Sequence, residues 1–413
     1  MPACPLGDIP AVETSQYDYD LPPERIAQTP LAVRDESKLL VADGRTGTIS
    51  HHVFIELPNL LPAGSFLVRN VTRVIPARII AHKSSGGHAE ILLVTPAADI
   101  PMEEALSMPS GIWKCMIGGH RIRQGTELIA FADGQGIRAK IVAQEDGLFL
   151  VEIECVPSTH SIAAMLEHLG KMPLPPYIRR EPTQEDIERY QTVYAQVTGS
   201  IAAPTAGLHF TERIFSALAQ RHVEVLDVVL HVGPGTFKPL RAANALEHIM
   251  HAEPIIVERS TLVRLHNLLA NQRMCVCIGT TSVRTIETLY WLGVKRIVDP
   301  TAEPQVLLQH EPYAQPLRTT QIAAAEAIAA LIEWLDKNQR PTLEAHTQLY
   351  IVPSYRYRIV QAMVTNFHQP RSTLLLLVAA FMGEWWRTIY TEALAQNYRF
   401  LSYGDASLLI APQ

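Results

Sequence analysis

Short apolar stretches, cut by glycine, proline and charged residues, fill the first part of the chain. SKLLVAD and GTIS lead into GSFLVRN, TRVIPARIIAHK and AEILLVTP, then GIWKCMIGG, TELIAFADG, IRAKIVAQED and LFLVEIEC. Runs of this length with evenly spaced turn signals belong to a small barrel or sandwich. Residues 67–157 are therefore expected to form a small antiparallel β-barrel. SIAAMLEHLG then reads as a helix that stops at Gly170.

After the proline-stiffened MPLPPYIRR the period changes. TQEDIERYQTVYAQ reads as an N-capped helix. Strand-like and helix-like segments then alternate: VEVLDVVLHV, TLVRLHNLLANQ, MCVCIGTT, VRTIETLYWLG, QLYIV, IVQAMVTNF and TLLLLVAAFMGEWW. Such alternation predicts an α/β domain with a mixed, partly parallel sheet, over residues 12–66 and 158–413, with the small barrel inserted into it. Residues 296–345 fit least well. They hold a clear helix, AAAEAIAALIEWLDKNQ, between loop-like flanks and are expected to be an insertion.

Composition narrows the class. A chain of 413 residues with 47% hydrophobic and 18% charged residues has enough apolar surface for more than one core, which excludes a disordered protein. The net charge of −6 gives no global reason to expect a nucleic acid, so any such case rests on local patches. The five cysteines, Cys4, Cys115, Cys155, Cys275 and Cys277, are scattered, and Cys275 and Cys277 fall on one face of an apolar run. They read as reduced core thiols of a cytoplasmic protein. The N-terminus has no signal-peptide pattern, and the longest apolar run, residues 374–383, is about half a membrane span.

Three loops share one layout. VCIGTTSVRTIE is a strand, then Gly279, Thr280, Thr281 and Ser282, then a helix with Arg284 in its first turns. VVLHVGPGTF ends a strand at His231 and continues through Gly233, Gly235 and Thr236. VTNFHQPRSTLLLL ends a strand at Asn366 and His368 and opens a helix at Ser372 and Thr373. Each loop alone is equally a capped turn. In α/β sheets, however, ligands sit beyond the carboxyl ends of strands, where helix N-termini offer free N–H groups to anions. The repeated layout therefore points to one pocket. IAAPTAGLHFTE adds Thr205, Gly207 and His209, and YRFLSYGDASLLI adds Tyr403 and Asp405. His248, His251 and Glu253 have metal-like spacing but no third histidine and no HExxH pattern, so no metal is expected.

Taken in order, RNVTRVIPARI, GKMPLPPYIRR, YQTVYA, AAPTAGLHFT, LHVGPGTFKP, HIMHAE, GTTSVRTIE, VTNFHQPRSTLLLLVAAFMG and YRFLSYGDASLLI resemble one family, the S-adenosylmethionine:tRNA ribosyltransferase-isomerases of queuosine biosynthesis. The resemblance implies transfer and isomerisation of the ribosyl part of S-adenosylmethionine onto 7-aminomethyl-7-deazaguanine at the tRNA wobble position. Epoxyqueuosine-tRNA, adenine and methionine would be the products. It also implies S-adenosylmethionine consumed as the ribosyl donor, with no bound cofactor. The expected partners are the modified tRNA and S-adenosylmethionine, without a membrane, for a monomeric enzyme.

A sulfonium acidifies the neighbouring C5′ protons, so a base can begin the reaction, and histidine is the side chain poised for that at neutral pH. His209, His231 and His368 are the candidates. Thr280, Thr281, Ser282 and Arg284 are expected to hold the methionine carboxylate, and Asp405 an amine or the ribose hydroxyls. Acid-free stretches carry Arg69, Arg73 and Arg78, then Arg356, Arg358 and Arg371; with the adjacent Arg179 and Arg180 they are expected to face tRNA.

Three positions depart from the family pattern: Val71 where a polar residue is usual, Ser354 in place of Gly, and Gln361 in place of Asp. A catalytic role for that missing carboxylate would favour a relative that acts on another acceptor. A non-catalytic RNA-binding protein is the second rival, should the histidine loops serve only as caps.

Overall fold

The computed structural model describes residues 10–412 except 85, 99, 146, 234–239 and 241. Its frame is a ten-stranded mixed sheet. Four adjacent strands at its middle run parallel: Glu224–Leu230, Phe66–Asn70, Cys275–Ile278 and Val360–Asn366. Ala406–Ile410 follows antiparallel to Val360–Asn366 and pairs in parallel with Lys38–Asp43, and Thr48–Val53 closes that edge. On the other side Glu253–Glu258, Thr342–Thr347 and Val306–Leu307 complete the sheet.

The middle strands are buried on both faces, which is why they read as unbroken apolar runs rather than as alternation. Cys275 and Cys277 face one core with Phe66, Val68, Leu226 and Val228, whereas Val276 and Ile278 face the other with Leu67, Val364 and Leu408. The long helix Gly279–Val298 lies in the first core, with Arg259–Ala270 and Ala324–Lys337 beside it. The helix Glu212–Gln220 covers the opposite face.

The second unit is a closed six-stranded antiparallel barrel. Arg78–Lys83, His88–Pro96, Ser110–Gly119, Leu148–Val156, Gln135–Glu145 and Glu127–Ala132 pair in that order, and the last strand returns to the first through His82 and Ile129. Burial alternates along each strand, most clearly in Glu127–Ala132. Ile162, Met165 and Leu166 of the helix Ile162–Leu169 pack into the barrel core, and that helix ends at Gly170 as its sequence predicts.

Four stretches differ from expectation. Phe66–Asn70, which straddles the expected boundary between residues 66 and 67, is a central strand of the large sheet; a buried parallel strand and a barrel strand look alike as apolar runs. The stretch 296–345, expected as an insertion with loop-like flanks, supplies Ala324–Lys337 and most of the strand Thr342–Thr347 to the α/β domain. QLYIV carries no strand beyond residue 347, though Leu349 to Val352 are buried. TQEDIERYQTVYAQ forms only the short helix Glu185–Arg189. There Thr183 spends its hydroxyl and N–H on Asp186, which also takes both ends of the Arg180 guanidinium, while Tyr190 and Tyr194 turn into separate cores.

Candidate active site

The four parallel strands end side by side, at Leu230, Asn70, Ile278 and Asn366. The loops beyond three of them and the turn Thr205–His209 enclose a cleft of about 370 Å³ of empty space, partly open to solvent. Thr205, Gly279, Thr280, Thr281, Asn366 and His368 line it, together with Thr365 and Leu374.

Gly279 makes this geometry possible, because its φ of +82° turns the chain abruptly from strand into helix. Ile278 precedes that helix and gives it no side-chain cap, so its first N–H groups meet the cleft. Thr281 Oγ1 is buried with no partner among the described residues. Here an anion would find partners the protein does not supply. Ser282 and Arg284 stand behind this edge. Ser282 donates its hydroxyl to the Ile278 carbonyl (2.8 Å) and is fully buried. Arg284 is buried too, bonded to the Glu253 carboxylate and to the Leu349 carbonyl (3.1 Å).

The three histidines have different surroundings. His368 Nε2 bonds Thr365 Oγ1 at 2.9 Å, and no hydrogen bond among the described residues engages Nδ1. His209 has both nitrogens occupied, Nδ1 by Ser37 Oγ (2.8 Å) and Nε2 by Asn366 Nδ2 (3.2 Å). Asn366 Oδ1 in turn accepts from Thr205 Oγ1 at 2.8 Å. His231 bonds Thr72 Oγ1 through Nδ1 (2.8 Å) and lies against Gly199, where a Cβ would stand 2.9 Å from the ring. Burial holds all three neutral at pH 7. It lowers His368 to about 3 and His231 to about 4, and His209 to about 3 with help from the nearby charges of Arg399 and Arg34.

Other expected site residues hold the architecture together. Ser372 caps the helix Thr373–Met382 by accepting from the Leu375 N–H (3.2 Å), and Thr373 is half-buried in its first turn. Asp405 accepts the backbone N–H groups of Lys38 (3.0 Å) and Arg399 (2.8 Å), joining two strand entrances; burial raises its carboxyl. Tyr403 donates to Asp186 (2.8 Å). Gly207 packs under the Tyr194 hydroxyl, and Gly233 donates its N–H to Glu253 (2.9 Å). Gly235 and Thr236 lie outside the described residues. Among the described residues no group of histidine, cysteine or carboxylate side chains is arranged to hold a metal.

Comparison with known proteins decides the family. A family model described as queuosine biosynthesis protein matches residues 14–409. The chain is 40% identical over 402 residues to the S-adenosylmethionine:tRNA ribosyltransferase-isomerase of Anaeromyxobacter sp. (strain Fw109-5), covering 96% of this chain and 98% of that one. The chain belongs to this family. The protein of the same description from Thermotoga maritima is 37% identical, over 97% of this chain and 100% of its own. A 2.00 Å crystal structure of S-adenosylmethionine tRNA ribosyltransferase from Thermotoga maritima covers 96% of this chain with 28% identity and a TM-score of 0.46.

Within such a family the eight arginines expected at an RNA surface divide in two. Arg73, Arg179 and Arg356 are exposed, and their side chains make no hydrogen bond or ion pair among the described residues. The other five are engaged. Arg69 lies between the rings of Tyr194 and Phe215, 4.6 and 4.7 Å from their centroids, and bonds Asp227 at 2.6 Å. Arg78 pairs with Glu90 (2.8 Å) and Arg180 with Asp186 (2.7 Å). Arg371 pairs with Asp18 at 2.7 Å. Arg358 lies over Tyr290 and Trp291 and donates to the Thr320 carbonyl (3.2 Å).

Two contributors escaped the sequence. Ser37, the partner of His209, is an isolated serine before a strand and carries no signal. Glu287 is fully buried in the long helix and accepts the Tyr355 hydroxyl (2.8 Å) and the N–H groups of Arg358, Ile359 and Val360. It thereby fixes the entrance of the strand that ends at Asn366. An acid within an otherwise buried helix was the available clue.

The departures fall away from the cleft. Gln361 stands at the opening of its strand, five residues or about 17 Å from Asn366 at ~3.3 Å per residue, and accepts the Cys275 N–H (3.3 Å). A side-chain acceptor is what that position uses. Val71 is buried, and its N–H bonds the Val228 carbonyl at 2.9 Å. Ser354 is exposed at a φ of +92°.

Proposed function

We propose that the cleft beyond Ile278 and Asn366 is where the family's reaction takes place in this chain. Membership over nearly the full length makes the protein an S-adenosylmethionine:tRNA ribosyltransferase-isomerase that forms epoxyqueuosine in tRNA. S-adenosylmethionine is then the ribosyl donor, consumed and not retained as a cofactor. Its methionine carboxylate binds the uncapped helix start at Gly279, Thr280 and Thr281, and the acceptor is 7-aminomethyl-7-deazaguanine at the wobble position.

His368 is the base in this reading. One observation favours it over the other two histidines: it lines the cleft and keeps a ring nitrogen unclaimed. The Thr365 hydroxyl orients the ring, and neutral Nδ1 can take the C5′ proton made acidic by the sulfonium. His209 is a positioning residue, because both of its nitrogens are spent on the wall formed by Ser37 and Asn366. The wobble base must leave the anticodon stack to reach the cleft, and Arg73, Arg179 and Arg356 are the cations free to meet the RNA backbone. No helix of the described residues is long and apolar enough to cross a membrane. A cytoplasmic, monomeric enzyme is part of the proposal, supported by free buried thiols at Cys115, Cys155, Cys275 and Cys277.

The test is release of adenine and methionine from S-adenosylmethionine with and without tRNA carrying the modified base. Release that requires that tRNA is expected. Release without it, or binding of S-adenosylmethionine with no release, sinks the reading. For the base, His368→Gln should lower kcat by about 10²–10⁴-fold with little change in the KM for S-adenosylmethionine, the usual worth of a general base. Unaltered turnover in that variant would remove His368 from the role.

A further inference from the structure

A second recess lies behind the cleft, about 310 Å³ of empty space that includes open solvent, and three arginines line it: Arg34, Arg189 and Arg399. Each guanidinium is tethered mainly by backbone carbonyls. Arg34 donates to Gln191 and Glu188 (2.9 Å to the latter), Arg189 to Leu31 and Ala32, and Arg399 to Thr29 (3.3 Å). Carbonyls orient a guanidinium but do not neutralise it. The nearest carboxylate in an ion pair is Asp405, 3.8 Å from Arg399 and already occupied by two backbone N–H groups. Among the described residues no acid lines the cavity. Arg189 Nε is buried and unpartnered among the described residues. Burial and the neighbouring Arg189 disfavour the charge of Arg34, with Glu188 acting in the opposite direction. Like charges held together with only one distant carboxylate paired to them are normally balanced by a bound anion, and the planar guanidinium suits phosphate oxygens best.

The cavity also shares a wall with the cleft. Ser37 and His209 line the arginine side, Thr205 and Asn366 line the cleft side, and the four side chains are linked by hydrogen bonds of 2.8, 3.2 and 2.8 Å. We propose that the Arg34, Arg189 and Arg399 cavity receives a backbone phosphate of the tRNA substrate beside the extruded wobble nucleotide. This rests on the cleft being the reaction site. The extruded base then enters one side of the His209 wall while its flanking phosphodiester is held on the other.

The test keeps the two readings separate. Wild-type protein must first release adenine in a manner that depends on the modified tRNA; failure there defeats the proposed function itself. In an active protein, Arg399→Gln is expected to raise the KM for tRNA about tenfold while leaving the KM for S-adenosylmethionine unchanged. It should also lower the slope of log binding constant against log salt by about one unit, the signature of one lost phosphate contact. Pro30 lines the same cavity, and a pair of variants there guards against damage to the fold. Pro30→Asp adds the missing negative charge and should raise the KM for tRNA, whereas the similarly shaped Pro30→Asn should stay near wild type. Equal effects of Asp and Asn, or an unchanged salt slope in Arg399→Gln, overturn the proposal. Inorganic phosphate separates the sources. If it raises Tm in wild type and not in Arg399→Gln, while the KM for tRNA is the same in both, the cavity serves free phosphate and the tRNA contact is wrong.

Discussion

Lowering the pH from 7 to 5.5 should destabilise this protein through its buried histidines. His209, His231 and His368 are each buried and hydrogen-bonded as neutral rings, with pKa values brought down to about 3, 4 and 3. In the unfolded chain each returns to the ordinary value of about 6.5. The sign follows directly. Below pH 6.5 the unfolded state binds three protons that the folded state refuses, so stability present above that value is lost as pH falls toward the folded pKa values. Between pH 7 and 5.5 the linkage amounts to about 1.3 kcal/mol per histidine, or ~4 kcal/mol for the three. Against a total of about 5–15 kcal/mol for a typical domain, this is a large share.

The assay is urea unfolding at several pH values, followed by fluorescence. Each of His209→Gln, His231→Gln and His368→Gln will cost stability at pH 7, but that offset does not matter. The informative quantity is the drop from pH 7 to 5.5, which each substitution should shrink by about 1.3 kcal/mol, since Gln binds no proton. Three variants that keep the wild-type drop would refute the assignment of these rings as neutral in the folded state. Asp186, lowered to about 2 with Arg180 and Tyr403 outweighing its burial, titrates outside this window and does not blur it.

Two further predictions concern the departures. Ser354→Gly should raise stability by about 1 kcal/mol with unchanged turnover, because an exposed L-residue at a φ of +92° is strained and glycine is not; a fall in the urea midpoint would contradict it. Gln361→Asp should leave kcat for adenine release where it was, since an acceptor for the Cys275 N–H is retained far from the cleft. An order-of-magnitude change in kcat would show that this end of the strand reaches the chemistry.

Periodicity and turn chemistry carried most of the architecture. The barrel strands alternate because only their inner faces are dry, as in Glu127–Ala132. The doubly buried strand Cys275–Ile278 and the glycine that ends it were equally plain. The sequence marks three polar loops at strand ends as a candidate site, but not which side chains would be spent on structure. Ser282 and Arg284 look the same in sequence as Thr280 and Thr281, yet helix rotation turns the first two away from the cleft. Arg69 and Arg73 lie four apart in an acid-free stretch. One is sandwiched between rings and the other faces solvent, because Asp227, Tyr194 and Phe215 come from distant parts of the chain. Local sequence carries no trace of such long-range partners.

With the Asn366 amide placed as it is, the wall between the two cavities has one consistent proton arrangement. The Thr205 hydroxyl donates to Asn366 Oδ1, which turns the amide nitrogen toward His209 Nε2. That nitrogen must therefore accept, and the ring proton sits on Nδ1, directed at Ser37 Oγ. A second proton on His209 would set an N–H against an NH₂ in a buried space, where an unsatisfied pair of donors costs about 1–3 kcal/mol. The wall is thus closed only while His209 is neutral. Since it carries Thr205 and Asn366 into the cleft, acid should disorder the proposed reaction site together with the fold, without first leaving an intact protein with one titrated base. Turnover and stability should then fall over the same pH interval; turnover that fell alone, above the unfolding range, would mean that a different group controls the chemistry.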